Sequence, residues 1–489
     1  MNARLNALSR KLALLLGSAV LAGCSMTPKY VRPEAPVSPS FPTGAAYEGA
    51  QPSDPGAGGA EIGWRDFYDD PLLHELVEKA LANNHDLRVT ALNVEAARAQ
   101  YRIQRSELLP TIAVGAEGTA QRLPTDLFYN RRSYQVGVTS STWELDLWGR
   151  IRSLSDQALE SYLALDATRQ ASQMSLVAEV ANAYLTLRAD QELLRLAKET
   201  LATQERSYAL TKQLVEVGNL ARLDLERAEV ALRTAESDRA TYTRLAAQDR
   251  NALVLLLGEP LSAELAARLD AAATLPDGIM PADLPAGLPS DLLTRRPDIR
   301  AAEHTLRAAN ANIGAARAAF FPTISLTGSA GTASASLDDL FSSGSGAWSF
   351  MPRITLPLPI FGGSALKANL DRAEVQKRIE IASYERAIQS AFREVADGLA
   401  GKGTLDAQIQ SETQRVEASL NAYALAEQRL KAGEDDNLAL LDAQRTLYGS
   451  QQALIRSKLM RLSNLINLYK ALGGGWREFA APPDDPQAR

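Results

Sequence analysis

The chain repeats itself at an offset of 212 to 215 residues, and no reading of its fold can ignore that. Ser106-Glu-Leu-Leu-Pro110-Thr-Ile112 recurs as Ala318-Ala-Phe-Phe-Pro322-Thr-Ile324, and Asp86-Leu-Arg88 as Asp298-Ile-Arg300, both at 212. Asp146-Leu-Trp-Gly149 answers Pro359-Ile-Phe-Gly362 at 213; Gly218 and Leu223-Asp-Leu-Glu-Arg-Ala228 answer Gly433 and Leu438-Ala-Leu-Leu-Asp-Ala443 at 215. Four matches in one order describe two copies of one structural unit. The period is too long for a solenoid module, so the chain is pseudo-symmetric and its halves do the same geometric job.

Each half reads the same way. The first opens at Asp70-Pro71, an acid at the cap position followed by proline at the first helical position. Apolar residues at helical spacing then run from Leu72 through Leu76, Val77, Ala80, Leu87, Ala91, Val94 and Ala97 to Tyr101, predicting one helix that stops before Pro110. Two alternating stretches follow, Ile112, Val114, Ala116, Ala120 and then Tyr134, Val136, Val138. The phase changes before Trp143, Leu145 and Leu147, which predicts a bulge or the end of the sheet. The polar segment Gln121 to Arg132 between them reads as a loop. The second hairpin alternates Ile324, Leu326, Gly328, turns through Ser334 to Gly346, and returns through Trp348, Phe350, Ile354, Leu356, Leu358 and Ile360. Pro352, Pro357 and Pro359 make that last strand irregular.

A long helical stretch follows each hairpin: 150–217, free of proline and glycine after its start, and 364–432, interrupted only by Gly398, Gly401 and Gly403. Unbroken, each would be a rod of roughly 100 Å. Each ends at a glycine tip, Val217-Gly218-Asn219 and Ala432-Gly433-Glu434, and is followed by a return helix, Leu220 to Leu257 and Leu438 to Leu472. The expected fold is mainly α with a small β part, in two pseudo-repeats of helix, strand, strand, long helix and helix. The expected layout is a signal segment 1–23, an extended tether 24–62, repeats 63–258 (strands about 111–146) and 284–473 (strands about 323–360), a linker 259–283 and a tail 474–489.

The N-terminus fixes the compartment. Arg4, Arg10 and Lys11 precede a short apolar run from Leu12 to Ala22, a signal peptide rather than a membrane span. Leu21-Ala-Gly-Cys24 resembles the bacterial lipoprotein cleavage box, making Cys24, the single cysteine, the acylated first residue of the mature chain. Ser25 follows, where lipoproteins retained at the inner membrane tend to carry aspartate, so the outer membrane is expected. Loss of 1–23 removes three basic residues and no acid, moving the net charge from −6 to −9. An acidic chain with no basic run argues against nucleic acid. Residues 25–60, rich in Pro, Gly, Ser and Ala, read as a tether. No later apolar run approaches the ~20 residues of a spanning helix, so only the strands could enter a membrane. Four strands cannot close a barrel, since such barrels start at about eight, and an open sheet in lipid leaves its edges unpaired. Either the strands stay out of the membrane, or three chains pool twelve.

Leu284-Pro-Ala-Gly-Leu-Pro-Ser-Asp-Leu-Leu-Thr-Arg-Arg-Pro-Asp-Ile-Arg-Ala-Ala-Glu303, with Phe321-Pro-Thr-Ile-Ser-Leu326 after it, resembles the signature of TolC-type outer membrane efflux proteins. The cleavage box and Pro28-Lys-Tyr-Val-Arg-Pro33 resemble the lipoprotein (NodT-type) branch. The resemblance spans essentially the whole mature chain. It implies a homotrimer in which a twelve-stranded barrel continues into a periplasmic helical tunnel. That trimer is the passive exit duct of a tripartite pump, joined to a periplasmic adaptor and a proton-driven inner-membrane transporter. Counting from the tip glycines, Asp442 matches an aspartate of the closed constriction, where symmetry-related carboxylates repel and attract cations. Leu438 matches an apolar ring, and Asp224 an acid that latches neighbouring helices; Arg445 is the partner expected for a carboxylate. Ala439 stands where some relatives carry a second gate aspartate, and Asp435 where they carry a latch arginine, so one acid ring is expected and the latch must use other pairs, with Arg222 one member. The tips, with Gly218, Asn219, Gly433, Asp435 and Asp436, are the expected adaptor contacts; the plainer reading of each charge is a solvated helix face, and of each tip a helix cap.

Nothing points to catalysis or to a cofactor. His74, His85 and His304 share no metal-ligand spacing, and Ser364-Ala-Leu-Lys367 stands without the other motifs of its enzyme class, where serine reads as a cap. Two other readings stay open: a duct for secreted polypeptides, and a non-channel envelope spacer built of coiled helices.

Overall fold

The computed structural model describes residues 25–48, 61–122, 130–276, 278–280, 284, 292–357, 363–432, 434 and 436–479. They form helices α1 (Trp64–Phe67), α2 (Pro71–Asn83), α3 (His85–Ser106), α4 (Arg150–Glu216), α5 (Arg222–Leu257), α6 (Ala263–Ala271), α7 (Leu292–Arg295), α8 (Pro297–Ala318), α9 (Gly363–Lys431) and α10 (Asn437–Ala471). The strands are β1 (Ile112–Arg122), β2 (Asn130–Leu145), β3 (Thr323–Ser334) and β4 (Gly346–Thr355). The chain divides into two compact units, 1–34 with 92–166 and 301–386, and 35–91 with 167–300 and 387–489.

The first unit carries one antiparallel sheet in the order β1-β2-β3-β4, with both hairpins and the junction of the two repeats, β2 against β3, in one ladder. Register aligns Val114, Val138, Ala330 and Trp348 across all four strands. Side chains alternate faces along a strand, so the separate apolar alternations of the sequence merge into one apolar face. Val114 is 81% exposed and Trp348 80%. The opposite face is polar, with Thr139, Ser329 and Ser349 in line and the two serine hydroxyls 2.7 Å apart. The change of phase in β2 is a register shift between Ser140 and Trp143, which turns the Trp143 indole to donate to the Leu108 carbonyl at 3.3 Å. The polar segment read as a loop from 121 to 132 is shorter than expected, because β1 runs to Arg122 and β2 starts at Asn130. Pro352 lies inside β4, opposite Leu326; among the described residues β4 pairs on one side only, where a missing donor is tolerated. Leu358, Pro359 and Ile360 lie outside the described residues.

Residues 25–34 lie in neither helix nor strand, yet they are pinned. Thr27 and Ser153 hydroxyls lie 3.0 Å apart, and Asn310 donates to the Pro28 carbonyl at 2.8 Å. Buried Glu303 receives Arg32 through two bonds of 3.0 and 2.8 Å, Tyr30 at 3.2 Å and Arg307 at 2.8 Å. Burial pushes the Glu303 carboxyl up, but the hydrogen bonds and charges of Arg32 and Arg307 outweigh it and hold the pKa below 4.5. The signature glutamate and the arginine that follows the lipoprotein box thus form one clamp.

The helix expected from Leu72 to Tyr101 is two helices, and the break between them lies in the second unit. Asn84 breaks it by adopting an extended conformation, donating to the Leu256 carbonyl at 2.9 Å while its own side-chain oxygen caps the Leu87 amide at 2.9 Å. Asp70 caps α2 by accepting from the Leu72 and Leu73 amides. α2 is the buried one of the two, through Leu72, Leu73, Leu76, Val77 and Ala80, whereas α3 has no fully buried residue and keeps its apolar stripe of Leu87, Ala91, Val94, Ala97 and Tyr101 half-buried. The core is completed by Trp64, Phe67, Tyr184, Leu253 and Tyr469, with the Phe67 and Tyr469 rings stacked at 3.9 Å.

The two rods are single helices of 67 and 69 residues. The glycines of α9 do not interrupt it. A Cβ at Gly398 would press on Leu468, one at Gly401 on Asn464, and one at Gly403 on the Ala46 carbonyl. They are notches that admit α10 and the N-terminal segment, which accounts for helix-weakening residues in mid-helix. Ser364, expected as a cap, is already inside α9, which begins at Gly363.

The signature Arg296-Pro297-Asp298 also has a structural meaning. Arg296 is buried and donates to both Asp298 oxygens at 3.0 and 2.6 Å, to Glu394 at 2.7 Å and to the Ala471 carbonyl at 3.0 Å. One planar fork thereby joins the start of α8 to α9 and to the end of α10. Removing it strands two carboxylates and a carbonyl. Arg296→Ala is expected to cost about 2–4 kcal/mol and Arg296→Lys about half as much, read as the shift of the thermal unfolding midpoint in detergent.

Candidate gate and docking site at the helix tips

At the first tip α4 ends in a hydrogen-bonded reversal. Gly218 has φ 79°, its amide donates to Val215 at 3.0 Å, and the Asn219 amide donates to Leu214 at 2.8 Å. This is the Schellman pattern, which needs a residue at ease in left-handed conformation. At the second tip the Glu434 amide donates to Arg429 at 2.9 Å, the counterpart of the Asn219 bond at the repeat offset of 215. Gly433 and Asp435 lie outside the described residues, as does Cys24. Asp436 caps α10 by accepting from the Ala439 amide at 3.1 Å; α5, preceded by Ala221, has no side-chain cap.

The helices leading from these tips enclose a cavity of about 550 Å³. Leu223 and Val230 of α5 face Leu438 and Leu441 of α10 across it, with Thr200 and Gln204 of α4 behind, and Asp442 and Arg445 also on its wall. Gln204 ties α4 to α10 by donating to Gln444 at 3.2 Å. Three of the four gate residues expected from the sequence, Leu438, Asp442 and Arg445, therefore line one groove. Asp224 does not line it, although its partner Arg227 does, 3.7 Å away.

The charges at the tips pair locally. Arg445 reaches Asp442 at 2.5 Å and Arg222 reaches Glu226 at 3.4 Å, each within its own helix. Asp442 is 58% exposed and Arg445 82%. Such pairs contribute only ~0–1 kcal/mol, so they orient side chains without holding the helices together.

What joins the return helices was missed in reading the sequence. The buried Tyr242 hydroxyl on α5 accepts from Gln452 at 3.2 Å and from Arg456 at 3.1 Å, both on α10. Nearby, burial raises the Tyr448 phenol, with the Asp238 carboxylate adding to the shift. A signal existed, since Tyr242 stands 24 residues past Gly218 and Arg456 stands 23 past Gly433, depths within one residue of each other along matching helices. The histidines lie elsewhere, His304 against Glu160 at 2.6 Å and His74 against the Tyr68 carbonyl. Among the described residues no cluster of His, Cys, Asp and Glu is arranged to hold a metal, and no helix is long and apolar enough to cross a membrane.

Two long helices, each with its return helix, a small two-faced sheet, matched tips and a groove between the return helices define an outer membrane channel. The sequence profile for outer membrane efflux proteins matches residues 76–259 and 288–474. The chain is 50% identical over 472 residues to the antibiotic efflux pump outer membrane protein ArpC of Pseudomonas putida, and 49% identical over 472 residues to the toluene efflux pump outer membrane protein TtgC of the same species, covering 96% of each chain in both cases. The open state of the MtrE outer membrane channel of Neisseria gonorrhoeae superposes with a TM-score of 0.82 at 40% identity, over 94% of this chain and 100% of that one. The chain belongs to the outer membrane efflux protein family. It is the outer membrane component of an efflux system.

The cap at the second tip gives a direct test. Asp436→Ala is expected to lose about 1 kcal/mol of stability and Asp436→Ser little, measured by thermal unfolding. Equal losses for both would mean that the carboxylate does more than cap α10.

Proposed function

We propose that three copies of this chain form a passive exit duct that carries small molecules across the periplasm and outer membrane, fed by a periplasmic adaptor and a proton-driven inner-membrane pump. The observation that carries this reading is the sheet, with one apolar and one polar face and outer edges on β1 and β4 that no strand among the described residues covers. Three such sheets joined edge to edge supply twelve strands, with apolar residues toward lipid and serines and threonines toward water. Cys24 bears the lipid that anchors each chain. The relatives named for antibiotics and toluene favour small amphipathic or apolar cargo. Transport of this kind asks for no catalytic centre.

In the closed duct the tips converge. Three Asp442 carboxylates form the single acid ring, Leu438 the apolar ring beneath it, and Arg445 moderates the ring by its pair with Asp442. Asp224 steadies the first return helix through Arg227. Gly218, Asn219, Gly433, Asp435 and Asp436 present the tips to the adaptor. These assignments rest on positions counted from the tip glycines and on the groove that Leu438, Asp442 and Arg445 line.

Native mass spectrometry of the full-length gene product, extracted from outer membranes in mild detergent, should give a trimer of chains beginning at Cys24, each heavier by its acyl groups. A monomer under conditions that keep related trimers intact would leave four strands with no barrel, and the duct would be abandoned. In planar bilayers Asp442→Ala should lower cation selectivity and raise closed-state conductance several-fold. An unchanged current would remove Asp442 from the gate.

A further inference from the structure

Partway along the first repeat, away from the tips, two acids meet. Asp190 of α4 and Asp249 of α5 bring their carboxyl groups within hydrogen-bond reach of each other. Both are half-buried. Ala189 and Leu193 on α4 and Leu253 on α5, sequence neighbours of the pair, are buried apolar residues. Asp249 Oδ2 is sealed from solvent, and no donor among the described residues reaches it. The nearby cations are engaged elsewhere: Arg188 with Asp70, Arg250 with Asp270, Arg456 with the Tyr242 hydroxyl. Among the described residues the charge of Arg456, from α10, acts on the pair, and it acts on Asp190. Two carboxylates in contact with no donor between them repel. One proton removes the repulsion and supplies the donor, so the closed geometry is that of an acid and a carboxylate.

We propose that Asp190 and Asp249 share one proton, and that this proton fastens the return helix α5 to the rod α4 and is released as the periplasm turns alkaline. Asp249 is the donor and Asp190 the acceptor. Burial, then the charge and hydrogen bond of Asp190, raise the Asp249 carboxyl to about 7. The unfolded chain releases that proton near 3.8, the ordinary value. Between these values the folded chain binds more protons than the unfolded one, so the stabilisation is complete below the lower value and is lost as pH rises through the upper one. This is opposite in sign to Glu303, whose clamp is intact at neutral pH and is lost toward acid. The consequence for export rests on the duct reading: α5 descends to the first tip, and a loosened hairpin leaves that tip freer to move.

The test uses the full-length, membrane-extracted protein. In the wild type the thermal midpoint should fall between about pH 5.5 and about pH 8, and infrared spectra at the lower pH should hold a protonated-carboxyl carbonyl band that fades at the higher. Asp249→Asn replaces the donor with one that cannot ionise; it should fold, lose that band and flatten the pH slope by at least about half. Asp190→Asn should also flatten the slope, because Asp249 then meets no carboxylate. A wild-type band that is absent, or an Asp249→Asn slope equal to wild type, overturns the shared proton. Single-channel recording separates the two readings. Opening that rises with pH in wild type and not in Asp249→Asn supports the coupling to the tip, and pH-independent opening in both overturns it. A protein that conducts at no pH defeats the duct while leaving the infrared and thermal results to judge the pair.

Discussion

A four-stranded antiparallel sheet leaves one row of backbone donors and acceptors unpaired along the outer side of β1 and another along β4, and most of this structure follows from where those rows go. In water such edges invite uncontrolled pairing, and in lipid each unpaired group costs several kcal/mol. The sheet adds a second demand, because register collects Val114, Val138, Ala330 and Trp348 on one face and threonines and serines on the other. An apolar face seeks lipid, a polar face seeks water, and two edges seek partners. A ring of copies in an outer membrane meets all three at once. The pseudo-repeat makes this economical, since β2 against β3 inside one chain rehearses the contact of one hairpin with the next.

Outside the sheet the polar contacts differ sharply in strength. Arg296 and Glu303 are buried, each bound by several charge-assisted bonds, and each joins segments distant in sequence. At the tips, Asp442 with Arg445 and Arg222 with Glu226 are exposed and lie within single helices. Charge pairs of the first kind fix a geometry, whereas pairs of the second kind are nearly neutral to rearrangement. The Tyr242 hub and the Gln204–Gln444 bond lie between these extremes. A protein that must keep its helices assembled and still move its ends needs this distribution.

Much of the architecture could be read directly because regular elements announce themselves through period. The rods were legible to within a residue, since sixty-odd positions without proline admit little else, and the β2 irregularity was legible because a bulge inverts the alternation at Trp143. The break at Asn84 was not, because the apolar spacing continues smoothly past it. What breaks the helix is a contact with Leu256, 172 residues away. The glycines of α9 misled for the same reason. Glycine as a flaw in a helix and glycine as a notch for Leu468, Asn464 and Ala46 look identical until the partner is known. At the tips, the family resemblance pointed to Leu438, Asp442 and Asp224 and helical spacing to Arg445; Leu438, Asp442 and Arg445 line one groove, and Asp224 does not. The pairing of each charge depended on side-chain reach within one or two turns, which spacing restricts to i+3 or i+4 but does not choose between.

A gate needs two arrangements whose free energies differ by only a few kcal/mol. The tip groove is suited to that. Its walls are Leu223, Val230, Leu438 and Leu441, side chains that can slide past one another because apolar contact has no direction, and its charges are solvated enough to trade partners. The directional contacts that resist sliding, Gln204 to Gln444 and Tyr242 to Gln452 and Arg456, lie progressively farther from the tips along the same helices. Farther still along the first repeat comes the Asp190–Asp249 pair, whose strength depends on a proton. A return helix held firmly far from its tip and loosely near it moves most where a gate must move. The amplitude is then set by how many of the directional contacts stay closed.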